Sequence, residues 1–404
     1  MQSKMRILSF HHIPNNGAFL FAYSLLELLQ QEFGSFDIKI LDYKSSRLAI
    51  YEYLKRFKVF QKTPLFYMMR ARVWETQLKT HLDLDHNFPH FSREKTLQEY
   101  FSKEYDALVV GMDTWCVING TERPEFPNIY WLPKKTAIPK IAYGISAYNS
   151  DMTLVRQSAG KIESYLNDFD VIGARDHFTY ELVKKHRSRT DGLVEMIPDP
   201  TFTYKFVDTD VVSKLQLLGI DLNRPTLGLL FFGDDLLSNQ ILSHYKAKGY
   251  QILAMSMYNA VADFNLGHLL TPFEWAEAFR YLSFCISDRF HGTIFCLMNQ
   301  TPFISLEKER HLPKSQSKIY DLLTKFRLET CYKNPADENF EIASFLALAD
   351  EIEASWEHIF KPSILPKIDV FKEEHAQFLQ KIKIELTRIL RQLIKKHKKT
   401  TFSP

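Results

Sequence analysis

Residues 5–43, MRILSFHHIPNNGAFLFAYSLLELLQQEFGSFDIKILDY, decide the class of fold. Met5 to Phe10 is a short apolar run typical of a buried strand, and a polar loop follows from His11 to Gly17. Ala18 to Phe33 repeats apolar residues at helical spacing until a glycine ends the pattern. Asp37 to Tyr43 is a second apolar run. A strand, a helix and a strand in this order predict a βαβ unit and therefore a parallel sheet.

The same alternation of strand and helix continues in two further runs, from Tyr105 to Ile197 and from Val211 to Leu306. The segment from Asp199 to Asp210 lies between them and opens with Asp-Pro, a turn signal. We therefore predict an α/β fold of two doubly wound, Rossmann-like domains that face a cleft. Ligands of such sheets bind beyond the carboxyl ends of the strands.

The predicted domain boundaries follow from this pattern. Residues 1–205 form an N-terminal α/β domain with an insertion at about 51–99, and residues 206–366 form a C-terminal α/β domain. Residues 367–404 are a C-terminal helix and basic tail, because Ile368 to Lys398 contains neither glycine nor proline.

Composition narrows the class of protein. The 404 residues carry a formal net charge of +3, which argues against a nucleic-acid partner held by bulk charge. None of the four cysteines forms a Cys-x-x-Cys pair, so we expect neither a metal site nor a disulfide framework. No apolar stretch reaches the roughly 20 residues of a membrane span. These features predict a cytoplasmic protein.

The basic C-terminal end has two interpretations. Lys395 to Lys399, with His397 among them, follow the amphipathic helix. One interpretation is a packing helix with a solvated tail. The other is peripheral contact with an anionic membrane at its inner face.

The sharpest local signal is Ser287-Asp288-Arg289-Phe290-His291-Gly292-Thr293, between a predicted strand and a helix predicted from Thr293. A helix start attracts anions, and Arg289 adds a bidentate donor suited to phosphate or carboxylate. His291 can exchange a proton near neutral pH, and Gly292 allows close approach of the backbone to a ligand. The segment suits a small dianion; the alternative is a surface turn with an ordinary salt bridge.

Three other strand ends carry polar residues. Arg175 follows a strand and would bracket an anion together with Arg289, or would simply pair with a carboxylate such as Asp176. Asn16 and Gly17, after Asn15, could present donors to a ligand, or could form an ordinary turn. Asp113 could accept a hydrogen bond from a sugar hydroxyl or act as a base, and Trp115 could stack on a sugar ring. The alternative for that last pair is a helix cap with a core tryptophan.

In this order and spacing, the signals resemble the polysaccharide pyruvyl transferase family. The resemblance spans about Met5 to Leu328, with Met112 standing where the family has Ser or Gly beside the acid. The segments that carry it are Arg6-Ile7-Leu8-Ser9-Phe10 with Asn16-Gly17-Ala18, Gly111-Met112-Asp113-Thr114-Trp115, Tyr143-Gly144-Ile145-Ser146, Arg175-Asp176, Asp199-Pro200-Thr201, Ser287 to Gly292, and Ser317-Lys318-Ile319-Tyr320-Asp321-Leu322-Leu323.

The resemblance implies a glycosyltransferase-B-like pair of domains, phosphoenolpyruvate as co-substrate, and a cyclic pyruvate ketal on a sugar of a surface or exopolysaccharide precursor. It implies no metal and no further cofactor. The sugar could be carried on a lipid. The donor side would be the C-terminal domain and the acceptor side the N-terminal domain.

The resemblance also implies roles for individual residues. His291, Arg289 and Asp113 become candidate catalytic residues, with His291 as general acid. The candidate donor-binding residues are Arg175, Arg289, Phe290, His291, Gly292 and Thr293. The candidate acceptor-binding residues are Asn16, Gly17, Asp113 and Trp115. Two other functions remain open: a nucleotide-sugar glycosyltransferase of the same architecture, and a non-catalytic glycan-binding protein.

Overall fold

A computed structural model shows the chain as two parallel β-sheets flanked by helices, which confirms the predicted fold class. The structure describes residues 2–43, 64–88, 94–115, 126–231, 236–307, 309 and 311–400. The prediction for the insertion at 51–99 therefore falls only partly on described residues, and Cys116 lies outside them.

The first sheet has seven parallel strands in the order β3-β2-β1-β4-β5-β6-β7. This order reverses beside β1, as in doubly wound folds. The two central strands β4 and β5 are buried along their whole length, as parallel strands covered on both faces must be. Its strands, β1 to β7 in chain order, are Ser3–Leu8, Phe36–Leu41, Leu84–Asp85, Ala107–Met112, Lys140–Ile145, Val171–Ala174 and Leu193–Met196.

The second sheet has six parallel strands in the order β10-β9-β8-β11-β12-β13. The central strand β11 pairs with β8 and β12, so the sheet is also wound in both directions. Its strands, β8 to β13 in chain order, are Thr226–Leu230, Gln251–Ala254, Phe264–Asn265, Phe284–Ser287, Phe303–Leu306 and Tyr332–Lys333.

The helices alternate with the strands in sequence. The α-helices α1 to α13, in chain order, are Asn16–Glu32, Pro64–His81, Glu94–Glu104, Met152–Gln157, Ala159–Leu166, His177–His186, Val211–Leu217, Leu236–Ala247, Pro272–Ala278, Phe290–Asn299, Lys318–Phe326, Ile342–Ser355 and Ile364–Thr400. Short 3-10 turns occur at Ile129–Trp131, Pro200–Thr203, Phe279–Tyr281, Lys314–Gln316, Glu329–Cys331 and Lys361–Ser363, and a π-helical turn at Trp356–Phe360.

One helix boundary differs from the prediction in a way that matters for the site. Helix α10 begins at Phe290, three residues before the predicted start at Thr293. The glycine at 292 obscured the start, because glycine is a poor helix former. Here it is required, because a Cβ at Gly292 would collide with the Ser287 hydroxyl. Phe290, His291 and Gly292 therefore form the first turn of the helix.

Part of the predicted insertion is helix α2, which packs against both halves of the molecule. Trp74 contacts Phe19 of α1 with ring centroids 5.5 Å apart. The Arg70 guanidinium donates to the Pro14 carbonyl at 2.7 Å and lies 3.4 Å from the Met257 sulfur, beyond β9. Helix α2 thus joins the loop after β1 to the second sheet.

The two sheets share one hydrophobic core. Its centre is aromatic: the Phe273 ring of α9 lies 5.6 Å from that of Phe19 and 5.1 Å from that of Tyr23. Such aromatic pairs add about 0.5–1.5 kcal/mol each beyond their burial. A second cluster of buried residues covers the other face of the first sheet, with Trp115 and Trp131 at its centre.

The C-terminal helix α13 is 37 residues long, and the sequence predicts a long helix here. In the structure it returns to the first sheet. Phe378 packs against Gly173 of β6, where a Cβ would lie 2.8 Å from the phenyl ring. His375 stacks on Tyr143 of β5 with centroids 5.8 Å apart. Within the described part of the chain, no helix combines the length and apolar character that crossing a membrane requires.

Candidate functional site

The predicted site residues that the structure brings together follow strands β4, β6 and β11. Asp113 comes directly after β4, Arg175 directly after β6, and His291 lies in the first turn of the helix that follows β11. These are carboxyl ends of parallel strands, the edge at which doubly wound sheets bind ligands. Contacts between these residues join the two sheets into one polar cluster.

Arg175 is the centre of this cluster. Its buried guanidinium donates to the Asp199 carboxylate through Nη1 at 2.7 Å and to the Asp113 carboxylate through Nη2. Burial alone would lower the pKa of Arg175, but the charges of Asp113 and Asp199 raise it above its ordinary value. The guanidinium also lies 4.7 Å from the centre of the Phe290 ring. In this structure two carboxylates occupy its terminal nitrogens, and the donor-binding role of Arg175 stays a prediction.

His291 packs directly against the first helix of the other sheet. A Cβ added at Gly17 would lie 2.5 Å from His291 Cγ and 2.6 Å from Nδ1, so only glycine fits there. The imidazole Nε2 lies 3.7 Å from the Asp199 carboxylate and has no hydrogen-bond partner within the described residues. Burial lowers the pKa of His291 to about 4, although the charge of Asp199 opposes this shift. The ring is therefore neutral at neutral pH.

The start of helix α10 presents the other predicted donor-binding groups. Arg289 is the N-cap residue, and its partly exposed guanidinium pairs with the neighbouring Asp288 at 2.7 Å. Phe290 lies beneath the charged groups of Arg175 and Lys318. The buried hydroxyl of Thr293 lies 2.7 Å from the Ser305 hydroxyl in the core, and its donor-binding role stays a prediction.

Asp113 joins the two halves through a second cation. Its other carboxylate oxygen accepts from the Lys318 ammonium of α11 at 2.6 Å. The preceding Met112 has φ of +83° at a β-bulge, in the left-handed region that non-glycine residues avoid. The polysaccharide pyruvyl transferase family, which the sequence resembles, has Ser or Gly at this position. Here the backbone of Met112 is strained, and the bulge turns Asp113 toward the cluster.

The remaining acceptor-binding predictions are only partly supported by the geometry. Trp115 is fully buried, stacks on Trp131 at 4.6 Å and donates to the Tyr130 carbonyl. The indole is therefore a core residue in this structure, and its contact with a sugar ring stays a prediction without geometric support. Asn16 and Gly17 lie in the first turn of α1 rather than in a loop, and the Asn15 amide oxygen caps that helix.

Sequence reasoning missed the partners that complete the cluster. Asp199 was predicted to open a turn and belongs to a segment that carries the family resemblance, but it was given no role in the site; its buried carboxylate touches Arg175 and faces His291. Burial would raise the pKa of Asp199, but the charge of Arg175 lowers it below its ordinary value. Lys318 also carried no prediction of its own. No local signal marks either residue, since their partners are distant in sequence.

A second hydrogen-bonded group closes the same interface. The Tyr148 hydroxyl donates to the buried carboxylate of Glu307 at 2.7 Å, and the Tyr332 hydroxyl donates to its other oxygen at 3.1 Å. Tyr148 belongs to the first sheet's side, whereas Glu307 and Tyr332 belong to the second. Burial and the charge of Glu307 raise the pKa of Tyr148 above its ordinary value. The phenol therefore stays protonated and donates across the interface.

The C-terminal helix supports the cluster from behind. His375 Nε2 lies 3.3 Å from the Asp199 carbonyl, and its Nδ1 lies 2.8 Å from the Tyr143 hydroxyl. Burial lowers the pKa of His375 to about 4, against the opposing hydrogen bond with Asp199. The helix thereby fixes the backbone of Asp199, whose side chain orients Arg175.

Two Rossmann-like sheets with a polar site at their shared edge define a glycosyltransferase-B-type architecture, and solved structures show the same fold. The UDP-N-acetylglucosamine 2-epimerase from Rickettsia bellii aligns with a TM-score of 0.56 and 11% identity over 97% of this chain and 98% of that one. The enzyme of the same name from Methanocaldococcus jannaschii gives 0.56 and 9%, over 95% of this chain and 100% of that one. At such identities the likeness shows the fold alone.

The family follows from the sequence match. The family model for polysaccharide pyruvyl transferase covers residues 15–308, which include Asp113, Arg175, Asp199 and the Arg289-x-His291-Gly292 motif. The chain therefore belongs to the polysaccharide pyruvyl transferase family. A search among curated proteins gives no match.

Proposed function

We propose that this protein transfers pyruvate from phosphoenolpyruvate to two hydroxyls of one sugar in a surface or exopolysaccharide precursor, forming a cyclic ketal. The observation that carries the proposal is the environment of His291. Its buried imidazole lies in the first turn of α10 and packs against Gly17. Among the described residues, its Nε2 atom has no hydrogen-bond partner. Family membership supplies the reaction class.

The start of α10 suits the donor. The first N–H groups of a helix have no partner within it and attract anions, and the N-cap residue here is Arg289. A guanidinium binds the paired oxygens of a carboxylate or phosphate bidentately. We therefore assign the donor to the C-terminal side, predicted as residues 206–366, and the acceptor to residues 1–205.

The proposed reaction needs one proton at the donor methylene. A hydroxyl of the sugar attacks the enol carbon while that methylene becomes a methyl group, the carbon–oxygen bond to phosphate breaks, and a second hydroxyl closes the ketal. The two hydroxyl protons balance the reaction, one at the methyl group and one with the departing phosphate. We propose that His291 carries the proton to the methylene.

The neutral state of His291 constrains this role. With a pKa of about 4 in the free protein, the imidazole has no proton to give at pH 7. A dianionic donor next to the ring would raise this pKa, because nearby negative charge favours the imidazolium. Donor binding should therefore be accompanied by proton uptake, measurable by calorimetry in buffers of different ionisation enthalpy.

The deciding experiment is phosphate release from phosphoenolpyruvate with and without a panel of hexose glycosides. We expect acceptor-dependent release that Arg289→Ala abolishes, while Arg156→Ala, an exposed arginine on α4, leaves it unchanged. His291→Ala should lower turnover by at least about 10²-fold. Wild-type turnover in His291→Ala would remove the histidine from the mechanism.

A binding comparison separates this proposal from the nucleotide-sugar alternative. A ligand that binds only native protein raises its apparent stability by mass action. We expect phosphoenolpyruvate to raise the melting temperature and UDP to leave it unchanged. A shift with UDP alone would favour a glycosyltransferase, and binding of glycan without any turnover would favour a non-catalytic role.

The same proposal includes a lipid-linked acceptor and peripheral contact with the membrane inner face through the C-terminal end. Lys395 to Lys399 supply the charge, at roughly 1 kcal/mol for each basic residue near an anionic surface. Their side chains lie outside the described ones. Deleting Lys395 to Pro404 should abolish sedimentation with anionic vesicles, and unchanged sedimentation would refute the contact.

A further inference from the structure

The carboxylate of Asp113 lies between two buried cations, in the position of a bound anion. One oxygen accepts from Arg175 Nη2 and the other from the Lys318 ammonium at 2.6 Å. These cations come from opposite sides of the molecule, since Arg175 follows β6 and Lys318 begins α11. A planar carboxylate held at both oxygens by separate cations resembles the way a protein holds a small oxyanion.

The two cations are far better shielded from water than the carboxylate that joins them. Arg175 has a fully buried side chain and Lys318 is 10% exposed, whereas Asp113 is 20% exposed. The Lys318 ammonium also lies 4.4 Å from the centre of the Tyr148 ring and 5.3 Å from that of Phe290. Aromatic rings therefore flank both cations, and the carboxylate is the most exposed of the three groups.

The surroundings contain polar atoms that Asp113 does not satisfy. Arg175 Nε and His291 Nε2 are both buried without a hydrogen-bond partner in the part of the chain that the structure describes. Leaving such donors unpaired costs about 1–3 kcal/mol each. A ligand with more oxygens than one carboxylate would satisfy them.

We propose that Asp113 is an internal occupant of an oxyanion site formed by Lys318 and Arg175, and that the phosphate or carboxylate of the donor displaces it. Lys318 is then a donor-binding residue, contributed by a helix beyond the matched family region. The identity of the donor rests on the proposed function, but the anion site does not. The displaced carboxylate becomes free to accept a hydrogen bond from the sugar hydroxyl.

This exchange makes an unusual prediction about affinity. Removing the charge of Asp113 should tighten anion binding, because an internal competitor is lost. If Asp113 occupies the site nine-tenths of the time, the apparent affinity for inorganic phosphate should rise about tenfold in Asp113→Asn. Lys318→Gln should weaken phosphate binding about tenfold or more, since a hydrogen bond to a charged donor is lost.

The test measures the dissociation constants of inorganic phosphate and of pyruvate by calorimetry, and the melting temperature with and without each anion. Tightening for either anion in Asp113→Asn, with weakening in Lys318→Gln, supports the proposal. A matched control is the exposed pair Asp369 and Lys372 on α13, 3.1 Å apart. Asp369→Asn and Lys372→Gln should leave both constants unchanged.

The substitution Asp113→Asn removes one negative charge and leaves one buried positive charge unbalanced, so a loss of stability has to be separated from a change in affinity. If Asp113→Asn is destabilised, phosphate should raise its melting temperature, because the bound anion replaces the missing negative charge. The double variant Asp113→Asn/Lys318→Gln keeps the charges balanced and should bind phosphate more weakly than wild type. Equal affinity in wild type and both variants would overturn the proposal.

These readouts separate the two proposals. Tighter phosphate binding in Asp113→Asn without any phosphate release from phosphoenolpyruvate would uphold the anion site and reject the pyruvyl transfer. Acceptor-dependent phosphate release from phosphoenolpyruvate, with unaltered anion affinity in Asp113→Asn and Lys318→Gln, would uphold the pyruvyl transfer and reject the anion site.

Discussion

Gly17→Ala tests whether the contact between the first helix and His291 controls both stability and activity. The added Cβ would lie 2.5 Å from His291 Cγ and 2.6 Å from Nδ1. Carbon atoms pack at about 3.5–4.0 Å, so the ring or helix α10 must move by about 1 Å. Overpacking of this kind costs about 1–3 kcal/mol, and a displacement of this size at a reacting group can cost about 10²-fold in rate.

The control for this substitution is Gly160→Ala. Gly160 is also in the first turn of a helix, α5, but a Cβ there would meet nothing within 4 Å. Alanine improves helix propensity at both positions by up to about 1 kcal/mol, so the difference between the variants isolates the collision. Urea denaturation should place Gly17→Ala about 1–3 kcal/mol below Gly160→Ala. Equal stability, with wild-type phosphate release from phosphoenolpyruvate, would refute the packing of His291 on Gly17.

Three further predictions concern the cluster and its supports. Arg175→Ala should lose about 3–5 kcal/mol of stability, because Asp113 and Asp199 keep their charges without their shared partner; wild-type stability in urea denaturation would contradict this pairing. Met112→Gly should be about 1 kcal/mol more stable than Met112→Ala, since both lose the same side chain but only alanine keeps the strain at φ +83°; the reverse order in thermal denaturation would contradict the positive φ. His291 and His375 have pKa values of about 4 when folded and 6.5 when unfolded, so stability should be complete above pH 6.5 and fall by about 3 kcal/mol for each as pH drops to 4. His375→Gln should remove about half of that slope in denaturation curves across this range, and an unchanged slope would show that His375 does not titrate as a buried group.

Much of the fold could be predicted because parallel strands buried on both faces appear as short apolar runs. The βαβ unit from Met5 to Tyr43 corresponds to β1, α1 and β2 within a few residues at each end. The short edge strands Leu84–Asp85, Phe264–Asn265 and Tyr332–Lys333 could not be found this way. Two residues show no periodicity, and their strand state depends on a neighbour that the local sequence does not reveal.

The location of the site was predictable, but the pairing of its side chains was not. Arg175, Asp113 and His291 all follow strands, and the carboxyl ends of parallel strands meet at one edge. Which carboxylate takes which cation depends on contacts across 24, 62 and 205 positions of the chain. A single sequence gives no distance between such positions, so it could not show that Arg175 pairs with Asp113 and Asp199.

The surroundings of Trp115 are also not determined by the local sequence. A tryptophan beside an acidic residue at a strand end is compatible with sugar stacking, and the sequence contains nothing to reject that role. In the structure Trp131, 16 residues further along, supplies a stacking partner 4.6 Å away within the core. Aromatic side chains gain much stability from burial because their surface area is large, so they tend to pack in the core unless the fold leaves them exposed.

The arrangement of charge explains why the site depends on the whole chain. Arg175 and Lys318 offset the charges of Asp113 and Asp199, which lowers the cost of burying these four groups. A dianion can enter only if a carboxylate moves out, and Asp113 is the more exposed of the two. Asp199 cannot move out in the same way, because its side chain is buried and its backbone carbonyl contacts His375 of α13. The fold thus keeps one carboxylate fixed to orient Arg175 and places the other where a ligand can replace it.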